Sequence, residues 1–217
     1  MCRMSTLMPT SRKALVPNKP SYRRGLQRVP GSVDEPGLGE TAGSSKAGAF
    51  GSGFFVSGQG VRRVLGIDPG LASTGFGIVD FCNNRYRLVH YGVISTEAGE
   101  PHGHRLLKIY SRLTAIVEEF RPTEAAMETL YFAKNVSSAM SVAEARGVVT
   151  LCLAQHCIPL GEYTPNIIKQ SVTGVGASGK AAVQEFVRLL LGMETVPKPD
   201  HAADALAAAI THINSVR

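Results

Sequence analysis

Cysteine is sparse in this 217-residue chain, and its spacing serves no evident chemistry. Cys2, Cys82, Cys152 and Cys157 form no CxxC pair and no zinc-binding spacing, the pattern of a reduced cytosolic protein with incidental thiols. Long hydrophobic runs are missing too: apolar residues make up 44% of the chain, yet no stretch is long enough to span a bilayer. An excess of positive charge is absent from the part that looks folded. The net charge is +6, but residues 1–60 hold 8 Lys and Arg against 3 Asp and Glu, whereas residues 61–217 hold 15 against 14. If the folded part meets nucleic acid, it must do so with a local basic patch beside an acidic site.

Residues 1–60 also lack any sustained periodicity, and they carry 10 Gly, 5 Pro and 8 Ser. Such a segment cannot bury enough apolar surface to offset its ordering entropy. It contains no signal-peptide core, although its Arg-rich, acid-poor start is similar to an organellar transit peptide. We expect either a disordered extension or a start-site misassignment, because Val61, readable as a GTG initiator, stands directly before the first orderly segment.

From Val61 the pattern is regular. Val61–Asp68 reads as a strand, and Gly75–Val79 and Tyr86–Ile94 as two more, the last two joined by an Asn83-Asn84 turn. A helix follows over about 103–120, where Leu106, Ile109, Tyr110, Leu113, Ile116, Val117 and Phe120 share one face. Thr123–Met127 reads as a short strand, 135–155 as a helix with Ala139, Ala143 and Gly147 along one side, and Ile158–Tyr163 as a fifth strand. Thr164-Pro165 opens a short helix that stops at Gly174. Further helices are predicted from about Lys180 and from about Asp200 to Asn214. The fold class is therefore mixed α/β, with a central sheet of about five strands flanked by helices.

Two predicted strands end in a carboxylate: Asp68, held by Pro69-Gly70, and Glu128. Neighbouring strands lie about 4.8 Å apart, so adjacent parallel strands would deliver both acids to one edge. On the last helix His201 and Asp204 stand three residues apart and face the same way. Three carboxylates and an imidazole at a sheet edge repel one another or stay partly protonated unless a divalent cation compensates them. Oxygen-rich ligands of this kind suit Mg²⁺ or Mn²⁺, and two ions about 3.5–4 Å apart would serve phosphodiester hydrolysis. Each residue has a plainer explanation. Asp68 reads as a turn acid, Glu128 as a loop acid, Asp200 as an N-cap and His201 as a polar first-turn residue. Asp204 precedes the apolar run Ala205–Ile210 and so is expected to face something specific.

The ordered set Gly66-Ile67-Asp68-Pro69-Gly70, Thr74-Gly75-Phe76-Gly77, Glu128 with Ala133-Lys134-Asn135, Ala145-Arg146-Gly147 and His201-Ala202-Ala203-Asp204-Ala205-Leu206 resembles RuvC-type Holliday junction resolvases. The likeness covers about residues 61–214 in one colinear order. It implies an RNase H-like fold and a cytoplasmic homodimer. It further implies Mg²⁺-dependent nicking of two like strands at a four-way DNA junction and a branch-migration complex of the RuvA/RuvB type as partner. Asp68, Glu128 and Asp204 match the family's metal-binding carboxylates. The fourth position falls on His201, with Asp200 as the alternative after a one-residue shift. Tyr131-Phe132 match a segment that inserts an aromatic near the junction centre, or else are core rings. Lys134 lies in the same loop and is taken as DNA-binding. Lys169 and Lys180 match basic residues near the scissile phosphate, or else are solvated helix charges.

Three other readings compete, one of them a non-catalytic junction-binding protein on the same fold, which the intact acid set argues against. Gly174–Lys180 fits the first seven positions of a phosphate loop, but Ala181 stands where the Mg²⁺-binding Ser or Thr is required, and a helix, not a strand, is predicted before it. The Asp68–Gly77 hairpin also resembles that of actin-like ATPases, which need a second domain that this chain is too short to hold.

Overall fold

The computed structural model describes residues 60–129 and 136–216. These run as β1 (Arg62–Asp68), β2 (Ser73–Cys82), β3 (Arg85–Ser95), α1 (His102–Phe120), β4 (Glu124–Glu128), α2 (Val136–Gln155), β5 (Leu160–Tyr163), α3 (Pro165–Thr173), α4 (Lys180–Leu190) and α5 (Asp200–Ser215). The expected extension (save Gly60), Tyr131, Phe132 and Lys134 lie outside the described residues.

The sheet has the order β3-β2-β1-β4-β5. Its first three strands form an antiparallel meander, while β4 and β5 run parallel to β1. Asn83 and Asn84 close the β2–β3 hairpin with φ of 52° and 58°, the left-handed pair that a tight two-residue turn requires. Both faces of the sheet are covered, so the centre of β1, Val64–Ile67, is apolar and its side chains alternate between two cores. Leu65 and Ile67 pack with Ile109 and Leu113 of α1 and Val149 and Leu153 of α2. Val64 packs on the other side with Ile168 of α3, Val187 of α4 and Leu206 and Ile210 of α5.

The helix ends follow their local chemistry. Thr164 Oγ1 accepts the Ile167 N–H at 3.3 Å with Pro165 in the first turn, and Gly174 closes α3 at φ 79°. Asp200 departs from the N-cap role. Pro199 occupies that position, and Asp200 begins the helix with its side chain turned toward α4. The segment before Gly174–Lys180 is α3, which removes the strand that a phosphate loop needs.

Candidate active site

The parallel register that pairs Ile67 with Met127 brings the next residue of each strand, Asp68 and Glu128, to the same sheet edge. Asp68 then enters a turn in which buried Thr74 donates from Oγ1 to the Gly70 carbonyl at 2.8 Å. At the exit of β4 the Thr129 N–H donates to the Tyr163 carbonyl at 2.8 Å. Arg146 of α2 donates to the Glu128 carbonyl at 2.5 Å and pairs with Glu162 at 2.6 Å, fixing the strand end that presents Glu128.

The third carboxylate arrives because α5 lies directly on the backbone of β1 and β2. A Cβ on Gly66 would stand 1.8 Å from the Ala205 carbonyl oxygen, and one on Gly75 would stand 2.0 Å from that of His201. No side chain fits either position, so glycine is required by close approach. The alanines of α5 complete this contact, and nearly the whole helix beyond its first residues is buried. His201 and Asp204 are thereby lowered onto the edge occupied by Asp68. His201 Nδ1 meets Asp68 Oδ2 at 2.7 Å.

Lys180, the first residue of α4, donates to Asp204 at 3.0 Å and to Asp200 at 3.2 Å. Gln184 donates to the other Asp200 oxygen at 3.0 Å. Of the two alternatives for the fourth site position, His201 therefore meets Asp68, while Asp200 faces α4. Glu128, Asp204, Lys169 and Lys180 line a cleft of about 290 Å³ that Ile168 and Ala207 floor.

Electrostatics distinguish these acids from surface carboxylates. Burial raises the Glu128 carboxyl, and the charges of Asp68 and Asp204 raise it further against the pull of Lys169 and Lys180. Burial likewise raises Asp204, with Asp68 adding to it and Lys180 opposing it. Lys180 is itself raised: burial disfavours its charge, but Asp204 and Asp200 outweigh that cost. These are groups whose negative charge lacks full compensation. Among the described residues, no three His, Cys, Asp or Glu side chains converge at metal-ligating distance, and Lys180 and His201 hold Asp204 and Asp68 instead. The donor set nonetheless fits a hard divalent cation: carboxylate oxygens, half-buried and mutually repelling, at one cleft.

Arg146 and Gln184 are the site-supporting residues that the sequence did not single out as such. Arg146 carried two signals, since it stands in the Ala145-Arg146-Gly147 segment of the resemblance and is the only charged residue between Ala145 and Gln155. Gln184 carried none.

Known proteins share this sequence and fold. The family model for crossover junction endodeoxyribonuclease RuvC matches residues 64–212. The chain belongs to the RuvC family. A relative in Treponema denticola named crossover junction endodeoxyribonuclease RuvC is 60% identical over 151 residues, covering 70% of this chain and 85% of the relative. A second of that name in Chloroflexus aurantiacus is 54% identical over 150 residues, covering 69% and 92%. Among solved structures, Thermus thermophilus RuvC in complex with Holliday junction substrate superposes with a TM-score of 0.67 at 35% identity, covering 70% of this chain and 93% of that one. The fold is RNase H-like, with a mixed five-stranded sheet flanked by helices.

Proposed function

We propose that this chain, a crossover junction endodeoxyribonuclease by family, resolves four-way (Holliday) DNA junctions by paired symmetric nicks through metal-dependent phosphodiester hydrolysis. The observation that carries the reading is that Glu128 and Asp204, from two separate elements, line one cleft, with Asp68 at the same sheet edge and close enough for its charge to act on both. Asp68, Glu128 and Asp204, with His201, would hold Mg²⁺ or Mn²⁺, two ions per site. Such ions lower the pKa of a bound water and stabilise the leaving oxygen.

The remaining steps belong to the protein's own groups. His201, hydrogen-bonded to Asp68 through Nδ1, fixes that carboxylate and leaves its second ring nitrogen for either the ion or the attacking water. Lys169 and Lys180 supply positive charge for the phosphate, and Lys180 exchanges its contact with Asp204 for one with the phosphate while Asp200 retains it. Glu162 and Arg146 keep the end of β4 in place during this exchange. Tyr131 and Phe132, in the segment that follows Glu128, would meet the junction centre, and Lys134 would contact the DNA.

Residues 61–217 form the nuclease unit in this reading. It acts as a cytoplasmic homodimer through the outer side of α2, where Ala143 and Gly147 are exposed and nothing lies within 4 Å of a Cβ at Gly147. Twofold symmetry then sets two sites against the two matched strands of a junction. A branch-migration complex of the RuvA/RuvB type would deliver the substrate. The test incubates the chain with an end-labelled four-way junction and with linear duplex, in Mg²⁺ and in EDTA. Symmetric nicks on the junction alone, only with Mg²⁺, are expected. Equal cutting of both substrates, or cutting in EDTA, would contradict the reading.

A further inference from the structure

The lysines that border the cleft all come from one face of the sheet, the side of α3, α4 and α5. A DNA strand laid across the sheet edge also passes the opposite face, where α1 begins. There Arg105 is half-buried and donates from Nε to Thr96 Oγ1 at 2.8 Å. Thr96 is buried, donates in turn from Oγ1 to the Leu71 carbonyl at 2.6 Å, and places its N–H on the Ala72 carbonyl at 3.0 Å. Leu71 lies three residues after Asp68, and the pairing of Ser73 with Ser95 puts this corner at the same edge as the carboxylates. Among the described residues Arg105 has no carboxylate partner, and its two terminal nitrogens have no hydrogen bond. The basic side chains of β1, by contrast, are both neutralised: Arg62 by Glu124 and Arg63 by Asp80.

A guanidinium anchored through Nε and left with both terminal nitrogens free has the geometry that takes a phosphate end-on. We propose that Arg105 is a DNA backbone contact, one that grips a phosphate of the cleaved strand from the face opposite Lys169 and Lys180. This rests on the junction-nuclease reading. The strand is then held by cations on both sides of the acidic edge, and the Arg105–Thr96–Leu71 chain couples that grip to the turn that carries Asp68. Phosphate contacts of this kind set register and carry no base preference.

The test measures binding of the full chain to a fluorescent four-way junction and to linear duplex, in EDTA, from about 50 to 200 mM salt. Each phosphate contact contributes about 0.9 to the slope of log affinity against log salt. Arg105→Gln is expected to lower the slope by about 0.9 on the junction, and Arg105→Lys to keep the wild-type slope. An unchanged slope in Arg105→Gln overturns the proposal and leaves Arg105 as a support for Thr96. It is overturned equally if Arg105→Lys falls with Arg105→Gln, because the lost anchor would then be the cause. On the unaltered chain, junction DNA is expected to protect Arg105 from phenylglyoxal, read by mass spectrometry. Equal modification with and without DNA overturns it. A wild-type chain that binds duplex as tightly as the junction defeats the junction reading instead, while the slopes still score Arg105.

Discussion

At the scale of single residues, the site is a set of carboxylates whose charges the protein compensates only in part. Asp68→Asn removes a charge at the sheet edge but preserves shape and the His201 hydrogen bond. We expect it to abolish junction cleavage and to leave junction binding and thermal stability unchanged, as measured by gel assay, anisotropy and melting. Lys180 is the counter-charge for Asp204, so Lys180→Met is expected to slow single-turnover cleavage by about 10–100-fold, the usual effect of losing a partner of a ligand group. Away from the site, Asp80 shows what a fully compensated acid looks like. Burial alone would raise it, but hydrogen bonds from Arg63 and Arg87 at 2.7 and 2.6 Å hold it below its ordinary value. A depressed folded-state pKa means stability that is present above the unfolded value of about 4 and is lost as pH falls through the folded value. Asp80→Asn should therefore cost about 3 kcal/mol near neutral pH, and the gap to wild type should narrow below pH 4 in urea titrations.

At the scale of elements, the decisive contact is α5 against β1 and β2. Gly66→Ala places a methyl carbon against the Ala205 carbonyl, which is backbone and cannot rotate away. Overpacking of an adaptable core costs about 1–3 kcal/mol. Here the loss should reach or exceed that range, and unfolding midpoints measure it. Much of the element order was legible in sequence: Leu106, Ile109, Leu113 and Val117 mark the buried face of α1, Asn83-Asn84 mark the hairpin, and strand ends mark Asp68 and Glu128. The glycine contact was not. Gly66, Gly75 and Gly77 look like weak strand residues until it is known which helix crosses them. Nor could a linear pattern show that Asp200 turns to Gln184 and Lys180, because that pairing joins two helices whose packing only the fold defines.

At the scale of the whole molecule, the sheet order places two parallel strand ends side by side and lets helices from both faces supply their surroundings. Residues 130–135, between β4 and α2, carry the aromatics that the sequence links to junction DNA, and they lie outside the described residues. The outer side of α2 presents Met140 and Leu151, 62% and 56% exposed, beside its small residues. If this side joins two copies, Leu151→Glu should shift the chain toward monomer in sedimentation velocity and reduce paired nicking, with single-copy folding unchanged.

The central claim is that side chains gathered from β1, β4 and α5 act as one cation-holding cluster, and Mn²⁺ binding followed by electron paramagnetic resonance interrogates it without any nuclease assay. Wild-type chain should bind Mn²⁺ in competition with Mg²⁺, and Asp68→Asn, Glu128→Gln and Asp204→Asn should each weaken that binding at least about tenfold. Binding that persists unchanged in all three variants would contradict it.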